Sequence, residues 1–244
     1  MILLDCGNRY LKAQFLEQGR LQASFAIEYQ SDWWQRLGIW VQGLPVTHCY
    51  LASVLDADRQ SQLEQFLARQ FGASVTRFVS TAKVMDVTNG YRQPERLGDD
   101  RWMTLLAARE ITAGNCIIID AGSAITLDLL RADGQHLGGA ILPGFNTSVG
   151  HFKNIFRHID FDDPDIAETG QPGCSTEAAI HIDYGRTATE ILPELVNRWI
   201  KIFDDDATLL LAGGDAVRVQ RVLEQQSRIV PDLVFRGIRR LALQ

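Results

Sequence analysis

The chain has 244 residues, of which 46% are hydrophobic and 22% charged, a balance typical of globular proteins and not of disordered or fibrous ones. Lys and Arg number 24 against 30 Asp and Glu, which gives a net charge of −6. This acidic balance argues against general binding to nucleic acid, because phosphate backbones attract basic surfaces. The length suits one large domain or two of ordinary size.

The amino-terminal sequence and the cysteines indicate a cytoplasmic protein. Met1 leads directly into a strand-like run, without the basic start and cleavage site of a signal peptide. No apolar stretch approaches the roughly 18 residues that would cross a bilayer. The four cysteines are widely spaced and include no CxxC pair, so we interpret them as reduced thiols. Because no apolar stretch is long enough to cross a bilayer, we expect no membrane partner.

The first part of the chain predicts a three-stranded antiparallel meander that continues into alternating helices and strands. The first predicted helix carries an aromatic stripe at helical spacing, which favours a buried face over a ligand platform. The predicted elements are strands at 2–5, 10–16 and 22–29, a helix at 31–42, a strand at 48–53, a helix at 57–71 and a strand at 75–79.

A polar stretch at residues 80–99 precedes a helix at 100–113, and its length predicts a functional loop. The second part then repeats the opening plan. Strands at 116–120, 124–131 and 136–142 lead to helical patterns near 146–157 and 175–203, with a polar loop at 160–174 between them, and to a strand at 207–212, a helix near 215–227, a short strand and a last helix from about 232.

Asp5 and Asp120 each end the first strand of a meander and each precede a glycine turn. This repetition predicts two similar domains, at residues 1–114 and 115–244, facing each other across a cleft. The fold class that we expect is α/β, with two mixed sheets covered by helices.

The first acidic turn, Asp5-Cys6-Gly7-Asn8, has Lys12 on the following strand. A glycine turn lets backbone N–H groups approach an anion, and a lysine beyond it can neutralise phosphate oxygens. Taken alone, this sequence is also common in ordinary β-turns. Its repetition favours the phosphate-binding interpretation.

The second turn offers the Asp120 carboxylate, Gly122 and the hydroxyls of Ser123 and Thr126, which suit a phosphate or a cation beside one. A solvated turn is the simpler alternative, and the role of Asp128 stays open. The strand that ends at Gly213-Gly214 fits either an anion site at a helix start or a structural turn.

The stretch "YRQPERLGDDRW" at 91–102 places two acids and an arginine at the start of a helix. Either Asp99 or Asp100 could be a helix N-cap. Alternatively one of them is a general base and Arg101 binds a carboxylate or phosphate. Spacing alone does not decide between these readings.

Five motifs in order, "DCGNxxxK", "YxxPxxLGDDR", "DAGSAITLD", "GGAILPG" and "STEAA", resemble type III pantothenate kinases, within the superfamily of acetate kinase, sugar kinases and actin. The resemblance covers residues 2 to about 214. It implies duplicated ribonuclease H-like domains of the actin-like ATPase type. It also implies the ATP-dependent phosphorylation of pantothenate, the first committed step of coenzyme A synthesis.

The resemblance also implies a role for individual residues. Asp100 would be the catalytic base, and Thr176 would contact substrate at the interface of a homodimer. Asp5 would hold Mg²⁺, and Asp120 would bind a monovalent cation, K⁺ or NH₄⁺. The expected pantothenate contacts are Tyr91, Gly98, Asp99, Asp100, Arg101 and Thr176, and the expected ATP contacts are Asp5, Cys6, Gly7, Asn8, Arg9, Tyr10, Leu11, Lys12 and Ser123.

Three positions depart from the family pattern, and the third, His151, lies where small apolar residues are more usual and is interpreted as a packing difference. Arg9 stands where Ser or Thr is usual, and Ser123 replaces a common Thr but keeps the hydroxyl. Two other functions stay open: a regulatory or accessory protein with the same fold, and a kinase or phosphohydrolase of the superfamily that acts on another small molecule.

Overall fold

A computed structural model describes residues 1–29, 32–72, 74–155, 158, 172, 174–176, 178–179 and 190–243. Most of the predicted loop at 160–174, and residues 177 and 180–189 of the helical pattern at 175–203, lie outside these residues. The chain divides into two units, Met1–Ala107 with Leu233–Gln244, and Ala108–Asp232. The sequence-based domain division at 114/115 stays a prediction, and these units differ from it in the placement of the closing segment.

The first unit contains a five-stranded mixed sheet of order β3-β2-β1-β4-β5. β1 pairs antiparallel with β2 and parallel with β4. The elements are β1 (Ile2–Cys6), β2 (Tyr10–Glu17), β3 (Arg20–Glu28), α1 (Trp33–Val41), β4 (His48–Ser53), α2 (Ala57–Phe71), β5 (Ser74–Arg77), β6 (Lys83–Val84), β7 (Val87–Thr88), a one-turn 3₁₀ helix (Pro94–Arg96) and α3 (Asp99–Ile111), whose last turn belongs to the second unit.

The second unit repeats this topology with the order β10-β9-β8-β11-β12. β8 is again antiparallel to the next strand in the chain and parallel to β11. The elements are β8 (Cys116–Ala121), β9 (Ala124–Leu130), β10 (His136–Pro143), α4 (Phe145–Ile155), α5 (Leu192–Ile200), a 3₁₀ turn (Lys201–Phe203), β11 (Thr208–Ala212), α6 (Ala216–Gln220) and β12 (Ser227–Ile229); α7 (Leu233–Ala242) belongs to the first unit. The duplicated mixed sheets confirm the predicted fold class.

The central strand of each sheet is mostly apolar, as expected for a strand with both faces covered by other parts of the chain. All five residues of β1 are buried. One face packs against α1 and α2 through Leu37, Leu63 and Leu67, which confirms that the aromatic stripe of α1 belongs to a packed face. The described helices include none with the length and apolar character of a membrane span.

The closing helix α7 crosses α3 closely, and a Cβ atom at Gly237 would lie 2.1 Å from the Met103 carbonyl oxygen. Arg240 donates hydrogen bonds to the Leu106 carbonyl and to Asp86. This helix therefore supports α3, whose first turn carries the DDR sequence.

Two predicted segments differ from the structure. The helix expected near 215–227 is only Ala216–Gln220 long, because the chain must turn back before β12 begins at Ser227 and pairs with β11. The polar stretch at 80–99 is not irregular throughout, since it contains the hairpin of β6 and β7 and the 3₁₀ helix.

A buried polar pair lies within the second sheet. His136 Nε2 and Asp128 Oδ1 are 2.9 Å apart, and both side chains are almost fully excluded from solvent. A buried carboxylate requires such a partner, because an unpaired charge in the interior is costly. Asp128, which the sequence left undecided, is thus part of the sheet interior.

We expect His136→Leu to lower the free energy of unfolding by about 3–5 kcal/mol, since it leaves the Asp128 carboxylate without this partner. Urea titration followed by circular dichroism measures the change. The double replacement His136→Leu with Asp128→Leu should recover part of the loss, and Asp133→Asn, in an exposed pair with Arg131, serves as the control. A single variant within 1 kcal/mol of wild type contradicts the assignment.

Candidate active site

The first acidic turn joins β1 to β2. Asp5 lies opposite Lys12 in the antiparallel register, and Lys12 Nζ is 3.9 Å from Asp5 Oδ2. The Asp5 side chain is 12% exposed and that of Lys12 47%. A carboxylate and an ammonium group therefore lie side by side where the central strand ends.

The backbone of this turn is fixed by two hydrogen bonds. Gly7 N donates to Tyr10 O at 3.0 Å, and Val54 N, just beyond β4, donates to Cys6 O at 3.0 Å. The side chains of Cys6 and Leu11 belong to the core, so these two residues could approach a ligand only through their backbone. Burial raises the pKa of the Cys6 thiol far above its usual range, which keeps it protonated and unreactive.

Arg9 does not add an uncompensated charge to the turn. Its Nε atom lies 2.6 Å from Glu28 Oε1 at the end of β3. The same hydrogen bond raises the pKa of Arg9. Of the expected ATP contacts, Asn8, Arg9, Tyr10 and Lys12 are exposed.

The second acidic turn, between β8 and β9, has closely similar backbone bonding. Asp120 lies opposite Thr126 in the register. Gly122 N donates to Ala124 O at 3.0 Å, and Asp215 N, beyond β11, donates to Ala121 O at 3.0 Å. In both units, therefore, the residue after the aspartate accepts a hydrogen bond at its carbonyl oxygen. The donor is a backbone N–H just beyond the parallel strand that pairs with the central strand.

Oxygen atoms crowd this second turn. A Cβ atom at Gly213 would lie 2.5 Å from Asp120 Oδ1 and 2.2 Å from Ala121 O, and one at Gly144 would lie 2.2 Å from Gly122 O. Glycine is required at both positions because the approaching backbone leaves no room for a side chain. The Ser123 carbonyl accepts hydrogen bonds from Gly144 N and Thr147 Oγ1.

The DDR sequence forms the first turn of α3, and Gly98 precedes the helix. Trp102 N donates to Gly98 O at 3.0 Å, which closes this turn. Arg101 is only 5% exposed, and its Nη1 donates to the Tyr91 hydroxyl at 2.7 Å. The structure thus places Tyr91 against Arg101, next to Asp100 in the first turn of α3.

The Asp99 carboxylate binds residues that lie outside α3. Oδ1 accepts a hydrogen bond from Ser80 N at 3.0 Å, and Oδ2 accepts from Arg77 Nη2 at 2.9 Å and from Arg77 Nε at 3.2 Å. The side chain is only 8% exposed. These contacts indicate that Asp99 holds α3 in place, a role that sequence reasoning missed because Arg77 and Ser80 lie 22 and 19 residues away.

Thr176 lies in an exposed segment, directly after Ser175. Ser175 Oγ accepts a hydrogen bond from Ala178 N at 3.1 Å, the arrangement of a helix N-cap. The serine of the STEAA motif is therefore structural, and the threonine hydroxyl is accessible to a partner.

The duplicated mixed sheets have the fold of actin-like ATPases and sugar kinases. A ROK family glucokinase from Streptomyces griseus, solved with glucose and AMPPNP, matches with a TM-score of 0.52 at 11% identity, covering 98% of both chains. A protein from Campylobacter jejuni described as a Baf family transcriptional activator gives 0.56 at 20% identity, covering 100% of this chain and 98% of that one. Identities this low show the fold alone.

Sequence comparison identifies the family to which the chain belongs. The profile of type III pantothenate kinases matches residues 1–188. A type III pantothenate kinase from Pseudomonas fluorescens (strain SBW25) is 35% identical over 249 residues, which covers 98% of this chain and 97% of that protein. The chain belongs to the type III pantothenate kinase family, and the predicted enzyme class, an ATP-dependent kinase, is confirmed.

We expect Gly213→Ala to destabilise the protein by roughly 1–3 kcal/mol from the positive φ of +87° alone, and further through the contact with Ala121. Thermal unfolding measures the loss. Gly214→Ala is the matched control, because a Cβ there meets nothing within 4 Å. Equal stability of the two variants would show that the surrounding backbone does not restrict the side chain at position 213.

Proposed function

We propose that the chain transfers the γ-phosphoryl group of ATP directly to the primary alcohol of pantothenate. Membership of the family gives the reaction class, and the residue roles below are our assignment. The observation that carries it is the position of Asp100 and Arg101 on the first turn of a buried helix, in the same unit as the turn of Asp5 and Lys12.

Asp100 is assigned as the general base. It would accept the hydroxyl proton as the alcohol oxygen bonds to phosphorus and the β–γ bridging oxygen leaves with ADP. Because the transition state of phosphoryl transfer is loose, positioning and charge contribute more than the strength of the base. A helix turn fixed by hydrogen bonds is suited to such positioning.

Arg101 and Tyr91 are assigned to the pantothenate carboxylate. A guanidinium group binds a carboxylate through two parallel hydrogen bonds when its plane is correctly oriented. The 2.7 Å hydrogen bond from Arg101 to the Tyr91 hydroxyl provides that orientation. Gly98 borders the same helix start, and a Cβ atom there would lie 2.6 Å from Asp100 Oδ1, so a side chain would displace the base.

Lys12 and the backbone of the first turn are assigned to the ATP phosphates. N–H groups of a glycine turn form a concave anion site, and the half-exposed Lys12 ammonium can approach the phosphate oxygens. Ser123 would add a contact from the second turn.

The two cations are assigned from the donor atoms. Among the described residues no three His, Cys, Asp or Glu side chains cluster as a metal site would require. Mg²⁺ is commonly held by one carboxylate together with substrate phosphates, and Asp5 fits that use. Asp120 fits a monovalent cation, because its Oδ1 atom and the Ala121 carbonyl oxygen both lie within 2.5 Å of the Cβ position at Gly213. Bound there, the cations would offset charge on the triphosphate.

We also propose a homodimer in which Thr176 contacts the substrate of the partner subunit. The exposure of Thr176 in the single chain supports this. No nucleic acid or membrane is required by the proposed reaction.

We expect Asp100→Ala to lower kcat about 10²- to 10⁴-fold, the range for removal of a general base, in a coupled assay of ADP release with pantothenate. Asp58→Ala is the matched control, because Asp58 is an exposed acid in the first turn of α2. Turnover within twofold of wild type would exclude Asp100 as the base. A wild-type protein without turnover would favour an accessory role, and preference for a sugar would favour another kinase.

We expect Asp120→Asn to weaken activation by K⁺ about tenfold or more, because the amide removes the charge that attracts the cation. Titration of KCl at constant ionic strength measures the effect on turnover, and the rise of the melting temperature with KCl gives a second readout. Asp133→Asn, in an exposed turn, is the control. An unchanged response to KCl would place the cation elsewhere.

A further inference from the structure

We infer that Arg77 is a positioning residue for the reaction, which ties the start of α3 to the backbone that braces the first acidic turn. The inference rests on the proposed roles of Asp100 and Arg101. Arg77 ends β5 and is not part of any motif that the sequence analysis singled out.

The contacts of Arg77 join two segments of the first unit. Its Nη2 atom donates to Asp99 Oδ2 at 2.9 Å and to the Ser53 carbonyl at 3.2 Å, and its Nε atom donates to the same Asp99 oxygen at 3.2 Å. One guanidinium group therefore binds both the first residue of α3 and the last residue of β4.

The connection continues to the acidic turn through one residue. Val54, next to Ser53, donates its N–H to the Cys6 carbonyl at 3.0 Å. Its Cγ1 atom also lies 3.6 Å from the position of a Cβ on Gly98. The turn assigned to phosphate and the helix start assigned to the alcohol are thus braced against the same short segment.

The position of the Asp99 carboxylate depends on its hydrogen bonds with Arg77. Asp99 is nearly buried, so its carboxylate depends on charge-assisted hydrogen bonds. Without the guanidinium group it would rotate toward water and draw the first turn of α3 with it, because Asp99 and Asp100 are adjacent. A displacement of about 1 Å between reacting groups can cost about 10²-fold in rate.

Arg77 and Asp99 touch no reacting atom in this arrangement, so their effect should be selective. We expect Arg77→Met to lower kcat about 10- to 100-fold and to raise the KM for pantothenate, while the KM for ATP stays within twofold. Asp99→Asn should show the same pattern, and the double variant should be no worse than the poorer single variant, since both remove one interaction.

The control is Arg131→Met, which removes the arginine of an exposed Arg–Asp pair in the second unit and should leave all three kinetic constants unchanged. Arg77→Lys keeps the charge without the planar fork, and should fall between wild type and Arg77→Met. This variant keeps the test informative if Arg77→Met does not fold.

Hydrogen–deuterium exchange separates this inference from the proposed function. Arg77→Lys should speed exchange at the first turn of α3 and at the Ser80 amide, which donates to Asp99, whatever the substrate of the enzyme is. Unchanged exchange there overturns the inference. Kinetic constants within twofold of wild type for Arg77→Met also overturn it, as does a parallel change in the KM values for both ATP and pantothenate, which would indicate a general structural role.

Discussion

One backbone hydrogen bond occurs in each unit at the end of the central strand, beside Asp5 in the first and Asp120 in the second. The carbonyl after the aspartate, that of Cys6 or Ala121, accepts an N–H from the connection after the parallel neighbouring strand, that of Val54 or Asp215. The bond stops the central strand at a defined point. Asp5 and Asp120 directly precede the residues that accept these bonds, so each carboxylate lies near the end of its central strand.

The sequence predicted most of the architecture because the signals were local. Period-two alternation and glycine turns mark the strands of each meander, and their repetition around Asp5 and Asp120 predicted two equal sheets. The length of α6 was predicted wrongly because its pattern of apolar residues continues past Gln220. Ser227 pairs with β11, and this tertiary contact outweighs the helical spacing of the apolar residues before it.

The candidate site was predictable only in part, for the same reason. Asp5 and Lys12 flank one hairpin turn, so their proximity follows from the register. The pairing of Asp99 with Arg77 does not, because a single cation at the end of a short strand gives no periodic signal. Likewise Gly213 was recognisable as a turn residue, whereas its contact with the Asp120 carboxylate depends on how two strands end beside each other.

The duplicated backbone carries different chemistry in its two copies. Opposite Asp5 the register places the ammonium group of Lys12, whereas opposite Asp120 it places the hydroxyl of Thr126. The first turn thus includes its own cation, which suits phosphate, while the second gathers carboxylate and carbonyl oxygens, which suit a bound cation. Arg77 joins the start of α3 to the end of β4 in the first unit, so a few side chains distinguish two similar backbone frames.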